Sequence, residues 1–286
     1  MTTLQVHAVP QHQGAVRLEA GRLPTGCSAL SALAAQVLGV EPHVVPVASG
    51  TTPRTGGVAN FGGLWANRSA QLAALRGVRE PVLTVGGDCG VEAVPLAVLR
   101  QRVGPGLGVV WWDAHGDLNT PATSPSGAFH GMVLRAAFGE GDPAFTADPP
   151  LHPGRAVLAG VRALDEGERD VLATGLAVHL PPERVRGPAG AEVLADTVVG
   201  TGAETVYLHI DLDVLDPEEF GGVCCPEPDG LTVADVVAGI EAVATRLPVV
   251  GAGITECTTT DPHRLRRVVP LLEALAAALT AGVAVE

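Results

Sequence analysis

Leu107-Gly-Val-Val-Trp-Trp112 runs directly into Asp113-Ala-His-Gly-Asp117. An apolar run of the first kind reads as a buried strand, the sort found in parallel sheets. If the strand's alternation persists into its frayed end, Asp113, His115 and Asp117 at i, i+2 and i+4 aim in one direction. Two acids and an imidazole that converge without a basic neighbour repel one another and desolvate badly unless a cation sits between them. The plain alternative is a solvated loop with a helix cap. That alternative weakens further along the chain, where Thr205-Val-Tyr-Leu-His-Ile210 is followed by Asp211-Leu-Asp213 in the same arrangement.

Four carboxylates and a histidine at the ends of two strands point to a two-metal site. Carboxylate oxygens with an imidazole suit Mn²⁺ or a similar hard-to-borderline ion better than a thiolate-rich zinc site would. Two ions about 3.5 Å apart can share a hydroxide at neutral pH and clamp a trigonal carbon under attack.

Further apolar runs lie near residues 42–46, 81–85, 156–161 and 248–254, and helical periodicity near 28–39, 68–78, 90–102, 165–174, 232–246 and 263–282. This alternation implies βαβ units around a parallel sheet, with helices on both faces. Ligands bind such sheets beyond the carboxyl ends of the strands. There the chain places Gly86-Gly87-Asp88-Cys89, the Asp113 cluster, Arg162 with Asp165, Asp211 with Asp213, and Glu256. Five strands thus deliver polar groups to one edge. The Gly- and Pro-rich stretches 49–63, 119–127 and 217–230 read as active-site loops rather than domain joints. No internal repeat breaks the pattern, and the expectation is a single domain over residues 1–286.

Composition removes several classes of function. A net charge of -13 argues against a nucleic-acid surface and offers no basic patch to anionic lipid. The chain contains no lysine; every strong base is arginine. A Schiff-base lysine and a Walker-type phosphate loop are therefore excluded. With no long apolar stretch and no charged-then-apolar leader, the expectation is a soluble, cytoplasmic protein without membrane partners. Five cysteines, Cys27, Cys89, Cys224, Cys225 and Cys257, show no C-x-x-C spacing and do not suggest a disulfide scaffold.

Asp113-Ala-His115-Gly-Asp117, Asn119, Ser126-Gly-x-x-His130, Asp211-Leu-Asp213-x-Leu-Asp-Pro217 and Glu256 together resemble the arginase/agmatinase (ureohydrolase) superfamily. The resemblance runs from about residue 80 to 260. It implies a three-layer α/β/α fold with a mostly parallel central sheet. It also implies two Mn²⁺ per chain, with a bridging hydroxide that attacks a guanidinium carbon. On that resemblance Asp113 and Asp211 bridge both ions, Asp117 binds one, and His115 and Asp213 bind the other. One position departs: the family's Gly-Gly-Asp-His-Ser element appears as Gly86-Gly87-Asp88-Cys89-Gly90, so a metal-binding histidine has become Cys89. Either Cys89 is a small buried hydrophobe and the ion is lost, or it is a thiolate ligand. The thiolate is the preferred reading, because the other ligands of that ion are present. It would lower the ion's Lewis acidity and shift metal preference towards softer ions.

The resemblance also implies substrate contacts. Asn119, Ser124 and Ser126 stand at positions that read an α-carboxylate, Ser124 replacing a threonine. Gly160-Val-Arg162-Ala-Leu-Asp165-Glu-Gly-Glu168 places Asp165 at the α-ammonium, although Ala163 replaces an acid of the family's pocket. Glu256 falls where the family pairs a carboxylate with the guanidinium, and His130 falls at its proton shuttle. Cys224 and Cys225 read equally as pocket lining or packing. His209 and the remaining histidines read as structural, and Trp111 and Trp112 as one core and one second-layer residue.

An amino-acid pocket beside a cysteine-softened metal centre favours Nω-hydroxy-L-arginine, hydrolysed to L-ornithine and hydroxyurea. This resembles the hydroxyarginine-hydrolysing, antibiotic-biosynthetic branch of the superfamily. An N-hydroxyguanidine is less basic than a guanidine and carries its own oxygen. The alternatives are an ordinary arginase releasing urea and a metal-poor, catalytically dead binding subunit. The expected partner is thus a small amino acid bearing a guanidino or hydroxyguanidino group, and a homo-oligomer is left open.

Overall fold

A computed structural model describes residues 4–281. Residues 1–3 and 282–286, which the single-domain expectation includes, lie outside the described residues, as does the last position of the 263–282 helical segment. Eight strands, among the described residues, form one sheet in the order β2-β1-β3-β8-β7-β4-β5-β6. They are β1 (Gln5–Val9), β2 (His43–Val44), β3 (Val82–Gly86), β4 (Leu107–Trp112), β5 (Ala156–Ala159), β6 (Val178–Leu180), β7 (Thr205–Asp211) and β8 (Val249–Thr255). Every pairing is parallel.

Alternation along the central strands divides the core into two layers. Val110 and Trp112 of β4 and Val206, Leu208 and Ile210 of β7 face one cluster, which also holds Leu30, Leu194, Ile240 and Leu275. Those last four belong to the helices Leu23–Leu38, Gly187–Gly200, Val233–Ala244 and Val269–Ala281. Val109, Trp111 and Tyr207 face the other cluster, with Leu64 of helix Phe61–Leu75 and Leu96 of helix Ala93–Val103. The result is the three-layer α/β/α arrangement that the strand and helix alternation requires.

The count of strands corrects the sequence reading, which finds six. β1 and β6 are the additions. β1 lies next to the edge, its five residues including Gln5 and His7, and β6 lies at the edge with three residues, His179 among them. Helix Gly187–Gly200 is also new: its glycines and Pro188 look like a loop in sequence. It forms because the proline falls in its first turn and Asp235 accepts the Gly187 N–H at 2.7 Å. Helix Phe61–Leu75 begins seven residues ahead of the expected 68, since Gly62 and Gly63 hide its first turn in the sequence.

The connection that sets the site is the passage out of β3. Gly87 donates to Val9 O at 2.9 Å and Asp88 donates to Gln11 O at 3.0 Å, so the chain after β1 lies directly on Gly87. A Cβ on Gly87 would overlap the Gln11 carbonyl oxygen, a backbone atom that has no rotamer to retreat into. Gly87→Ala is therefore expected to cost about 1–3 kcal/mol, as overpacking does. Chemical denaturation of the two proteins measures it, and equal midpoints would show that this contact does not govern the turn.

Candidate metal centre

Asp88 follows Gly87 but is not available to a ligand. Its buried carboxylate accepts from Gln11 Nε2 and Gly14 N, both at 2.8 Å, and from Gly90 N at 2.9 Å. It pins the turn that presents Cys89. Cys89 is 1 % exposed and borders the apolar layer that holds Trp111 and Tyr207, yet its sulfur is met by polar atoms. The sulfur lies 3.0 Å from Asp211 Oδ2, 3.0 Å from Thr255 Oγ1 and 3.6 Å from His209 Nε2. Burial, then the charges of Asp211 and Asp117, push its thiol well above the ordinary range. Without a cation nearby, Cys89 is a neutral thiol that donates to Asp211.

β4 delivers Asp113 beside it. One Asp113 oxygen accepts from Trp111 Nε1 at 3.0 Å and the other from His115 N at 2.6 Å. Both tryptophans are core residues, one in each layer, and Trp111 also stands behind the ligand. His115 turns its Nδ1 to Asp213 Oδ2 at 3.1 Å and Asp113 Oδ1 at 3.4 Å. Asp213 and Asp211 follow β7. Asp211 Oδ1 accepts from Asp213 N at 2.7 Å, and Asp213 Oδ1 from Ala114 N at 3.1 Å. Backbone donors therefore hold one oxygen of each of these two acids in place.

Strand alternation is not what aims Asp117. Its φ is 52°, in the left-handed region, so the chain turns sharply after Gly116. Asp117 Oδ2 is buried without a hydrogen-bond partner. Burial, followed by the charges of Asp113 and Glu168, drives the Asp117 carboxyl well up. Burial and Asp213 raise Asp113, and burial, Asp213 and Asp113 raise Asp211 further. Burial pushes Asp213 up as well, but His115 outweighs it and holds Asp213 low.

The acids, the imidazole and the thiol are a donor set that fits a pair of divalent ions. Ligand atoms within 4.8 Å of one another form three trios, Asp113 with His115 and Asp213, Cys89 with Asp211 and Glu256, and Cys89 with Asp113 and His209. Asp117 joins none of these trios but lines the cavity above them, one of its oxygens unpartnered. Carboxylates so placed are stable together only when a positive charge lies among them.

A cavity of about 200 Å³ opens over this cluster. Asn119, Ser124, Ser126, His130, Asp165, Cys225 and Glu256 all line it, so the structure brings every expected contact residue to one place. Asn119 Nδ2 donates to Asp165 Oδ2 at 2.9 Å, and Thr123 donates to Asn119 Oδ1 at 2.8 Å. Asp165 Oδ1 is buried and unpartnered. Ser124 and Ser126 hold their own loop, accepting from Gly127 N at 3.0 Å and Ala128 N at 3.1 Å. Glu168 accepts from Leu118 N at 3.1 Å and Asp165 N at 3.2 Å, tying the Asp117 turn to helix Glu166–Ala173.

Arg162 does not face the cavity. Its guanidinium donates to the carbonyls of Gly160, Asp213, Val214, Glu227 and Pro228, and so fastens the loop after β7. That fastening brings Glu227 Oε1 within 3.9 Å of His115 Nε2. Neither role is visible in the sequence, because each depends on main-chain atoms about fifty residues or more away.

An α/β/α protein with a carboxylate-rich, histidine-bearing metal site at the carboxyl edge of a parallel sheet is the class these features define. A family model described as "Arginase family" matches residues 59–275, and the chain belongs to that family. It is 38% identical to an arginase of Bacillus caldovelox over 61% of this chain and 60% of that protein. It is 35% identical to an N(omega)-hydroxy-L-arginine amidinohydrolase of Streptomyces lavendulae over 77% of each chain. The stretches matched span about half to three-fifths of the bacterial arginases compared. The crystal structure of the B. caldovelox arginase superposes with a TM-score of 0.81 at 27% identity, covering 100% of this chain and 99% of that one.

His130 and Glu256, to which separate roles fall in the sequence reading, touch. His130 Nδ1 lies 3.1 Å from Glu256 Oε1, which also accepts from Cys89 N at 3.1 Å. Glu256 sits at φ 66°, fixed there by its own N–H on Gly87 O at 2.7 Å, and its Oε2 is unpartnered. Burial opposes charging of His130, but the hydrogen bond and charge of Glu256 prevail and raise its pKa from 6.5 to about 9. A histidine with a raised folded-state pKa contributes stability that is complete below its unfolded value and lost as pH rises through the folded one. The melting-temperature gap between the protein and His130→Asn should therefore be wider at about pH 6 than at about pH 10. A gap independent of pH would show that the pair is not charged.

Proposed function

We propose that the chain is a binuclear-manganese amidinohydrolase that cleaves Nω-hydroxy-L-arginine to L-ornithine and hydroxyurea. The observation that carries this reading is the Cys89 sulfur, 3.0 Å from Asp211 Oδ2 inside the carboxylate cluster. Asp113 and Asp211 would bridge the two ions, Cys89 and Asp117 would complete one, and His115 and Asp213 the other. When bound, the ions supply positive charge to the buried acids and activate water for hydrolysis at neutral pH.

The remaining residues position the substrate and move protons. Asp165, oriented by Asn119, turns its unpartnered oxygen to the α-ammonium. Asn119, Ser124 and Ser126 lie on the side of the cavity that receives the α-carboxylate. Glu256 Oε2 accepts from the guanidino N–H groups while Oε1 stays with His130 and the Cys89 N–H. His130, protonated at neutral pH, gives a proton to the departing δ-nitrogen of ornithine. Water adds to the guanidino carbon, the bond from that carbon to the δ-nitrogen breaks, and hydroxyurea leaves.

The similarity to the Streptomyces lavendulae enzyme, over 77% of each chain, supports the substrate. The arginase relatives and the presence of His130 support the second reading, in which L-arginine is hydrolysed to L-ornithine and urea. Side-by-side turnover of the two substrates by the manganese-loaded protein tests this. The expected result is a kcat/KM for hydroxyarginine at least about tenfold higher, equivalent to ~1.4 kcal/mol of barrier. Cys89→His replaces a thiolate by a neutral imidazole, makes the centre more positive and should move the ratio towards arginine. A ratio that stays put or moves the other way would remove Cys89 from substrate choice.

The amino-acid end of the pocket is tested separately. A charge-assisted contact from Asp165 is worth about 1.5–3 kcal/mol, so Asp165→Ala should lower kcat/KM by about one to two decades with metal content unchanged. An equal loss on a guanidino compound lacking the α-amino group would show that Asp165 only supports the fold.

A further inference from the structure

Behind the Cys89 side of the site lies a buried polar chain that the scheme above does not use. His209, on β7 two residues before Asp211, is fully buried. Its Nε2 faces the Cys89 sulfur at 3.6 Å, and ligand atoms of Cys89, Asp113 and His209 lie within 4.8 Å of one another. The ring is stacked on Trp111 with centroids 3.6 Å apart, which fixes its rotation. Its Nδ1 has no hydrogen-bond partner. Neither has Glu92 Oε1, the oxygen that faces it at 3.9 Å.

Glu92 is itself completely buried, and its other oxygen accepts from the Tyr207 hydroxyl at 2.5 Å. Space for the carboxylate is built into the sheet. Gly253, the register partner of His209 on β8, is the only residue type that fits, since a Cβ there would overlap Glu92 Oε1. An acid and an imidazole buried this deeply are costly unless each is satisfied. A carboxylate on one ring nitrogen, with the other directed at a cluster of anionic ligands, is how proteins orient a metal-binding histidine.

We propose that His209 Nε2 is a further ligand of the ion on the Cys89 side, and that Glu92 is its positioning carboxylate. Closing the 3.9 Å gap to hydrogen-bond distance satisfies both orphaned atoms at once. That ion then has sulfur, nitrogen and oxygen donors, a set that suits borderline ions as well as manganese. The proposal rests on the two-metal reading of the site but not on its substrate.

Metal binding tests it without reference to turnover. The full chain, its His209→Gln and its Glu92→Gln variants are titrated with Mn²⁺ and, separately, with Co²⁺. One of the two ions should bind about 10–100-fold more weakly in both variants, the usual effect of disturbing such a unit. X-ray absorption of the cobalt-loaded protein should show weaker imidazole scattering in His209→Gln, with the His115 part retained, while the thiolate-to-cobalt band from Cys89 persists. Unchanged affinity and scattering in His209→Gln would overturn the proposal and leave His209 a packing residue. Should that variant fail to fold, a crystal structure of the unaltered manganese-loaded protein decides. Nε2 within about 2.0–2.4 Å of an ion, extended from imidazole–zinc distances, supports it; Nε2 beyond hydrogen-bond range of any ion rejects it. A protein that passes these measurements yet turns over neither guanidino substrate would overturn the substrate reading and leave His209 in place.

Discussion

Repulsion among buried carboxylates governs the carboxyl edge of this sheet. Asp113, Asp117, Asp211 and Asp213 are all at most 4 % exposed, and like charges about 4 Å apart at an effective dielectric of about 20 repel by about 4 kcal/mol. The fold does not relieve this by pairing each acid with a base, for the Arg162 guanidinium behind Asp213 spends its donors on carbonyls. It fixes single oxygens with main-chain N–H groups and leaves the facing ones to share whatever cation arrives. A site built this way would be strained without a cation and satisfied by one, and a cation bound there would stabilise the fold.

The architecture supplies that fixity with few parts. The acids sit at the ends of two adjacent central strands, β4 and β7, whose register is locked by six residue pairs. The chain after β1 lies across Gly87, and Asp88 staples it there, so Cys89 reaches the cluster from a third strand. β8 brings Glu256 in a left-handed conformation that ordinary residues avoid. A strained backbone of this kind persists only where its surroundings over-determine it. Here the Glu256 N–H on Gly87 O and the side chain on His130 and Cys89 N do so.

Much of this was legible in the sequence, for a definite physical reason. Buried parallel strands are continuous apolar runs, and the residues after them face the ligand edge, so β3, β4, β5, β7 and β8 could be read with their polar termini. β1 escaped because Gln5 and His7 interrupt its apolar run although four of its five residues are buried, and β6 because it has three residues, His179 among them, and only one is buried. Helix Gly187–Gly200 escaped because its glycines and Pro188 hide its helical character in the sequence. At the site, residue types in register revealed which side chains gather. They did not reveal that Asp117 and Glu256 turn through left-handed conformations, that Glu256 and His130 form one unit, or that Arg162 serves the backbone. Those facts are contacts between residues far apart in the chain. His209 looks like packing within an apolar strand, and what singles it out is its setting, with the Cys89 sulfur facing one ring nitrogen and the unpartnered Glu92 oxygen the other.

Charge balance connects the cysteine to the proposed substrate. A thiolate at position 89 carries one more negative charge than a neutral imidazole would, so the ions beside it polarise water less. The substrate end compensates from the other direction. Glu256 already shares one oxygen with His130 and raises its pKa to about 9, while burial pushes the Glu256 carboxyl up in turn. A fully cationic guanidinium would then compete with His130 for the same carboxylate and bring a second positive charge against it. A hydroxyguanidine, being less basic, can enter neutral, use Glu256 Oε2 only as a hydrogen-bond acceptor and leave His130 its proton. The same proton is what the departing amine needs. On this reading the softened centre and the His130–Glu256 pair select one substrate for one reason: each works best when the group being hydrolysed does not carry its own charge.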